Sequence, residues 1–242
     1  MIDNWLERTE LLVKEKGIET LKNSNILIVG LGGVGSFAAE FIARAGVGKM
    51  TIVDGDDVDN TNRNRQLPAL KSTVGKPKAE VMAQRLLDIN PNLELTVLEE
   101  FLSPERAFEL VSDEFDYVMD CIDSVTPKLN LLIAARRKKV KVVSAMGAGG
   151  KTDPSKIKVT DISKTYHDML SKQIRKRLRK HNINKGIRVV FSTESPDKES
   201  VQFTDGSNFK KSFYGTISYM PALFGLNAAA EVIRTLLDLR KD

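Results

Sequence analysis

The chain has 242 residues, 41% apolar and 29% charged, enough for one large α/β domain with a substantial core. Its single cysteine, Cys121, excludes an internal disulfide framework and a cysteine zinc site, and the two histidines, His167 and His181, make a histidine metal site a poor fit. The formal charge of +5 is local: eight Lys and Arg lie between residues 170 and 188 with no acid among them, and without those eight the balance becomes −3. One basic stripe on a mildly acidic body points to a polyanionic partner.

The N-terminus, Met1-Ile2-Asp3-Asn4-Trp5, has neither the basic start nor the apolar run of a signal peptide. The most apolar stretch, residues 217–239, is interrupted by Asn227, Glu231 and Arg234, so a core or interface helix suits it better than a membrane span. A cytoplasmic location is expected.

In chain order, residues 5–21 read as a helix carrying Leu6, Leu11, Leu12 and Val13. Apolar runs at 26–29, 50–53, 93–98, 117–119 and 140–145 then read as buried parallel strands. Helical patterns at 34–45, 78–89, 104–111 and 127–138 fall between them. Pro104 and Pro127 suit first turns, with Ser103 and Thr126 as N-caps, and Asn90-Pro91 ends the helix before the third strand. This alternation predicts an α/β fold, a doubly wound, mainly parallel, Rossmann-like sheet with right-handed crossovers. After residue 150 the pattern loosens into a less regular α+β portion. A strand is expected at 157–162, a helix at 166–181, a strand at 187–191, a mobile polar loop at 195–212 and a long helix at 222–239. The chain is thus expected to form one domain, with an N-terminal helix at 1–22, a nucleotide-binding core at 23–150 and a C-terminal portion at 151–242.

Gly30, Gly32 and Gly35, with Gly33 between them, form a GxGxxG between the first strand and its helix. Glycines let the backbone turn tightly and approach phosphate, and the helix N-terminus offers N–H donors. Asp54 ends the second strand, where an acid can hold ribose hydroxyls. A nicotinamide cofactor fits to this point. The next residues argue against it: Asn62, Asn64, Arg65 and Gln66 follow the acid closely, then Lys78 in Gly75-Lys76-Pro77-Lys78. Fixed cations beside a phosphate chain serve phosphoryl or nucleotidyl transfer, which hydride transfer does not need. Cys121 follows a buried strand and reads as core-facing rather than as a nucleophile.

In the basic stripe, Leu170, Ile174 and Leu178 recur every four residues and leave the remaining surface to cations. This is the pattern of a helix docked on the body with a face for a phosphate backbone, carried by Lys172, Arg175, Lys176, Arg179 and Lys180. Along the expected 166–181 helix the aromatic-type side chains are only Tyr166 and His167 at its start and His181 at its end, so backbone positioning outweighs base reading there.

Residues 26–90 resemble the adenylating domain of the ThiF/MoeB family, relatives of ubiquitin-activating enzymes. The likeness rests on GLGGVGS at 30–36, VDGDDVDNTNRNRQ at 53–66, VGKPKAE at 74–80 and Asn90-Pro91. It continues through DCIDSVTPK at 120–128, AGG at 148–150, DISKT at 161–165, RVVFSTE at 188–194 and GTISYMPALFGLNAAAEVI at 215–233. The later segments are similar to the family's tRNA threonylcarbamoyladenosine dehydratase branch. That resemblance implies ATP-dependent cyclisation of threonylcarbamoyladenosine, next to the tRNA anticodon, to the hydantoin form. It places Asp54 on the ribose, Asn62, Arg65 and Lys78 on the triphosphate, and Asp123 on Mg²⁺. It implies that Arg8 reaches a neighbouring subunit's site in a homodimer, and that a sulfur-transfer or cysteine-desulfurase-system protein is a partner. Two other readings stay open. One is an adenylating enzyme for a ubiquitin-like or sulfur-carrier protein, which usually carries zinc cysteines or a catalytic cysteine. The other is a non-catalytic nucleotide-binding scaffold, against which the intact Asp54, Asn62, Arg65, Lys78 and Asp123 set speaks.

Overall fold

The computed structural model describes residues 4–203 and 212–239. Seven strands form one sheet in the order β3-β2-β1-β4-β5-β7-β6. Strands β1 (Asn25–Val29), β2 (Lys49–Val53), β3 (Glu94–Leu98), β4 (Tyr117–Asp120), β5 (Lys141–Ala145) and β7 (Arg188–Ser192) are parallel, and β6 (Ile157–Asp161) pairs antiparallel with β7. Consecutive strand residues point to opposite faces, so each strand feeds two cores. Ile26, Ile28, Met50, Ile52, Tyr117 and Met119 pack under α2 (Gly35–Arg44), α3 (Lys78–Ile89) and α7 (Tyr219–Leu236). Leu27, Val29, Val53, Val118 and Val142 pack under α4 (Pro104–Leu110), α5 (Val125–Arg137) and α6 (Met169–Arg179).

Several expectations need correction. The third strand is parallel but not buried: β3 is a sheet edge, and only Leu93, just before it, is fully covered. Ser103 does cap α4, accepting from the Arg106 N–H at 3.1 Å. Thr126 does not cap α5, because that helix begins at Val125 and Pro127 falls inside its first turn. The basic helix begins at Met169 rather than 166, since Asp168 accepts from the Ser171 N–H at 2.7 Å and sets the cap there. The 195–212 segment is not one loop. Residues 198–200 form a 3-10 turn, and β8 (Val201–Phe203) pairs with β9 (Ser212–Tyr214); residues 204–211 lie outside the described ones.

The N-terminal helix is also less simple than its pattern. α1 (Glu7–Lys22) breaks at Lys14, whose φ of 66° and ψ of 169° are not helical. Leu6 packs on Gly46, and the Leu21 carbonyl accepts from the Gly48 N–H. Both ends of the segment therefore meet the turn between α2 and β2, at the sheet edge where the parallel strands begin.

At the opposite ends of β4 and β5 lies a fully buried polar network. Lys128 Nζ donates to Asp120 Oδ2 at 2.7 Å, Ser144 Oγ at 3.1 Å and the Ala145 carbonyl at 2.9 Å. Ser144 Oγ donates to the same carboxylate oxygen at 2.5 Å, while Asp120 Oδ1 accepts from the Ile122 N–H at 3.1 Å. Burial pushes the Asp120 carboxyl up, opposed chiefly by the Lys128 charge. Removing one member leaves the other charge uncompensated. Lys128→Met is expected to lower unfolding free energy by about 3–5 kcal/mol, read as the shift in urea midpoint at unchanged slope.

Candidate active site

The strand order reverses beside β1, so the ends of β1 and β4 open a crevice of the kind that takes ligands in doubly wound sheets. The chain leaves β1 at Gly30, with φ of +90°, and its N–H donates to the Val53 carbonyl at 2.8 Å. A Cβ on Gly30 would sit 2.9 Å from the Cys121 carbonyl oxygen, and one on Gly35 only 1.7 Å from the Gly30 carbonyl oxygen. The glycines here are thus required by close backbone approach. α2 starts at Gly35, so the positive end of its dipole lies at the crevice, with the Ser36 N–H taken by the Gly32 carbonyl at 3.1 Å.

Asp54 is bound to this turn. Its Oδ2 accepts from the Leu31 N–H at 2.5 Å and its Oδ1 from the Asp56 N–H at 2.9 Å. Burial pushes its carboxyl up, offset first by the Lys78 charge and then by those two N–H groups. Lys78, at the start of α3, is buried, and its ammonium meets Asp56 Oδ2 at 2.8 Å. Its backbone N–H also donates to the Asp56 carbonyl at 3.0 Å. These bonds bring the two halves of the acid-and-lysine signal together.

Between them, residues 60–62 form a 3-10 turn. Asn62 is buried, and its Oδ1 accepts from the Asp59 N–H at 3.1 Å as half of a reciprocal cap. Its carbonyl end is therefore engaged in shaping the turn. Arg65 is half-buried and donates to the Thr61 carbonyl at 3.1 Å and to Asn64 Oδ1 at 2.9 Å. Burial pushes its guanidinium down, and the Asp123 carboxylate opposes that. Asp123 is exposed in the loop after β4, with Ser124 Oγ 3.4 Å from its Oδ1. Asn64 Nδ2 donates to the Thr216 carbonyl at 2.9 Å, which ties this segment to the approach to α7.

The structure therefore gathers Gly30, Gly32, Gly33, Gly35, Asp54, Asn62, Arg65, Lys78 and Asp123 around one crevice. Arg8 is not among them. It is exposed on the first part of α1, just after Leu6, at the edge opposite the crevice. The basic stripe stands apart on α6, with Lys172, Lys176, Arg179 and Lys180 exposed. Arg175 differs from these: its guanidinium bonds to the Thr165 carbonyl and hydroxyl. Cys121 faces the core side, and burial first, then the Asp120 charge, pushes its thiol up to about 12.

Two contributors went unassigned in the sequence. Asp56 was hidden within the acidic run at 54–59, where nothing marks it as the Lys78 partner. Gln66 lies beside Gly32, and its Oε1 is buried without a hydrogen-bond partner among the described residues. Its place directly after Arg65 was the available signal.

A ThiF family model matches residues 6–242. The chain belongs to the ThiF family. The Bacillus subtilis tRNA threonylcarbamoyladenosine dehydratase is 42% identical over 242 residues, covering 97% of this chain and 94% of that protein. The Escherichia coli protein of the same name is 44% identical over 203 residues, covering 80% and 76%. Among solved structures, E. coli tRNA N6-threonylcarbamoyladenosine dehydratase in complex with ATP superposes with a TM-score of 0.88 at 38% identity, covering 99% of this chain and 98% of that one. The ThiF fold thus extends through the less regular C-terminal portion as well as the nucleotide core.

The glycines of this ThiF crevice differ in what they tolerate. Gly75 also has a positive φ, of +85°, but a Cβ there meets nothing within 4 Å. Gly35→Ala is expected to abolish nucleotide binding and lower stability, because backbone must shift. Gly75→Ala is expected to cost about 1 kcal/mol from backbone conformation alone. Calorimetric titration with ATP and thermal melts separate the two.

Proposed function

We propose that this protein is an ATP-dependent tRNA threonylcarbamoyladenosine dehydratase that closes the threonylcarbamoyl side chain into a cyclic hydantoin. The observation that carries this reading is the crevice with Arg65 and Lys78 beside a glycine turn and no available thiol. Full-length likeness to relatives of that name supports it.

The glycine turn and the α2 N-terminus receive the phosphates, and Asp54 accepts from ribose hydroxyls through the acceptor capacity its two N–H bonds leave open. The substrate carboxylate attacks the α-phosphate and pyrophosphate leaves. Arg65 and Lys78 stabilise the charge that develops there. Lys78 exchanges its bond to Asp56 for the phosphate chain. In the second step N6 of the adenine, the outer nitrogen of the urea linkage, attacks the activated carbonyl to close the five-membered ring; N6 gives up its proton and AMP departs. The nucleophile belongs to the substrate, so a half-buried Cys121 whose thiol is pushed up to about 12 is compatible with the whole sequence. Adenylation of a ubiquitin-like or sulfur-carrier protein finds no zinc cysteines here, and the one thiol, Cys121, is half-buried and pushed up to about 12.

Asp123 suits Mg²⁺, a hard cation that binds one or two carboxylates together with substrate phosphates and waters. Among the described residues no group of three or more His, Cys, Asp or Glu could hold a metal by itself, which fits an ion carried mainly by the nucleotide. When bound, it would neutralise phosphate charge.

Arg8, at the far edge of its own chain, serves a neighbouring subunit's crevice in a homodimer. No helix among the described residues is long and apolar enough to cross a membrane, and a tRNA substrate places the protein's work in the cytoplasm. A sulfur-transfer protein as partner remains part of this proposal, as a binder rather than a chemical participant, since the crevice offers no reactive thiol.

Incubation with ATP, Mg²⁺ and tRNA bearing threonylcarbamoyladenosine is expected to lower the nucleoside mass by one water, about 18 Da, read by mass spectrometry. Arg65→Ala and Lys78→Ala are expected to lower turnover by at least about a hundredfold while melting cooperatively. An unchanged mass with the wild-type protein would sink the reading.

The exposed cations of α6 make a second test. Replacing Lys176, Arg179 and Lys180 together with Ala is expected to weaken tRNA binding and to flatten its logarithmic salt dependence by up to about one per lost phosphate contact. Arg175→Ala is expected to act differently, through the Thr165 segment it holds. Filter binding across a salt series distinguishes the two.

A further inference from the structure

Tyr166 is a large aromatic side chain left 45% exposed although its backbone is held from several sides. Arg175 bonds to the carbonyl and hydroxyl of Thr165 immediately before it. Asp168, two residues after it, caps α6 and forms a buried ion pair with Lys151 at 2.9 Å, and Lys151 also donates to the Gly147 carbonyl at 2.7 Å. Between them His167 adopts a left-handed φ of 57°. The ring meets Phe191 and His167 edge-on, at interplanar angles of 76° and 80°, so neither neighbour stacks on it. Lys158 Nζ is 3.0 Å from the Tyr166 hydroxyl but 5.6 Å from the ring centre. The ammonium thus sits beyond the hydroxyl rather than over a ring face.

The position of this ring matters as much as its exposure. Phe191 lies at the end of β7 that aligns with the end of β5. Gly147 follows β5 on the rim that also carries the loop after β4. From that rim α6 runs away from the crevice side, and Lys172 to Lys180 spans about 12 Å at 1.5 Å per residue. The geometry is a fixed aromatic at the rim with a cationic track leading from it.

We infer that Tyr166 is a stacking platform for a nucleobase of the tRNA anticodon loop next to the modified adenosine, with the α6 cations holding the phosphates that follow. This rests on the tRNA reading above and adds a base-contacting element to it. An aromatic ring on a positively charged track is the recurrent arrangement for unpaired bases, and it accepts any base because each has a π-face. Pre-ordering by Arg175, Asp168 and Lys158 lowers the cost of immobilising the ring on binding.

The test uses the full chain and an anticodon stem-loop RNA with 2-aminopurine flanking the modified adenosine. Wild-type protein is expected to quench the fluorescence on binding. Tyr166→Leu, which keeps an apolar side chain against Phe191, is expected to lose the quenching and raise the KM for tRNA about tenfold, with ATP affinity as the check that the crevice is intact. Tyr166→Trp is expected to restore both. Unchanged quenching and KM in Tyr166→Leu, with active wild-type protein, overturns the platform alone. A wild-type protein that leaves the nucleoside mass unchanged overturns the tRNA reading and the platform with it. If Tyr166→Leu melts early, the Trp variant decides: loss of quenching with normal melting overturns the proposal.

Discussion

A lysine ammonium with no contact to water holds the working end of the sheet together. Lys128 reaches from α5 to Asp120 on β4 and to Ser144 and Ala145 on β5. A buried pair of this kind gains little over a well-packed apolar one, but it has only one satisfied geometry. That geometry fixes the relative height of two adjacent strand ends. It also fixes the start of the loop after β4, because the second Asp120 oxygen holds the Ile122 N–H. The glycine turn leans on this loop, with Gly30 and Gly35 both fitted closely against Cys121. Asp123 emerges from it one residue beyond Ile122. The position of the glycine turn relative to the crevice acid thus follows from one ionic contact buried beneath the crevice.

Much of this architecture was written locally. The strand runs at 26–29 and 50–53 and the helix at 78–89 are short-range patterns, and they survive nearly unchanged because burial and propensity agree there. The glycine turn was legible for the same reason: close backbone approach demands glycine wherever it occurs. The edge position of β3 was not legible, since alternation of apolar residues does not say whether another strand lies alongside. The α5 start was not legible, because the helix begins at Val125 after Ser124, whose side chain makes no cap hydrogen bond to mark it.

The site was legible as a set of residues more than as a set of contacts. Arg65, Lys78 and Asp54 stand out by chemistry and spacing. Their partners do not: Asp56 pairs with Lys78 across 22 positions, and Arg175 turns inward to Thr165 although it sits in a run of solvated cations. A helical stripe gives the face of each side chain, but not which of its atoms a neighbouring loop will claim. Likewise the kink at Lys14 leaves no mark in the apolar pattern of residues 5–21, because both halves are good helix and only their shared docking on one turn requires the break.

The half-buried setting of Cys121 bears on the chemical environment the protein can work in. Oxidants and electrophiles attack the thiolate, and a thiol pushed up to about 12 offers almost none at neutral pH. The chain has no second cysteine to form a bridge with it. In this chain, unlike relatives that use a catalytic or zinc-binding cysteine, the crevice chemistry does not draw on a thiolate. Peroxide or electrophile stress that attacks a thiolate meets little of one at Cys121.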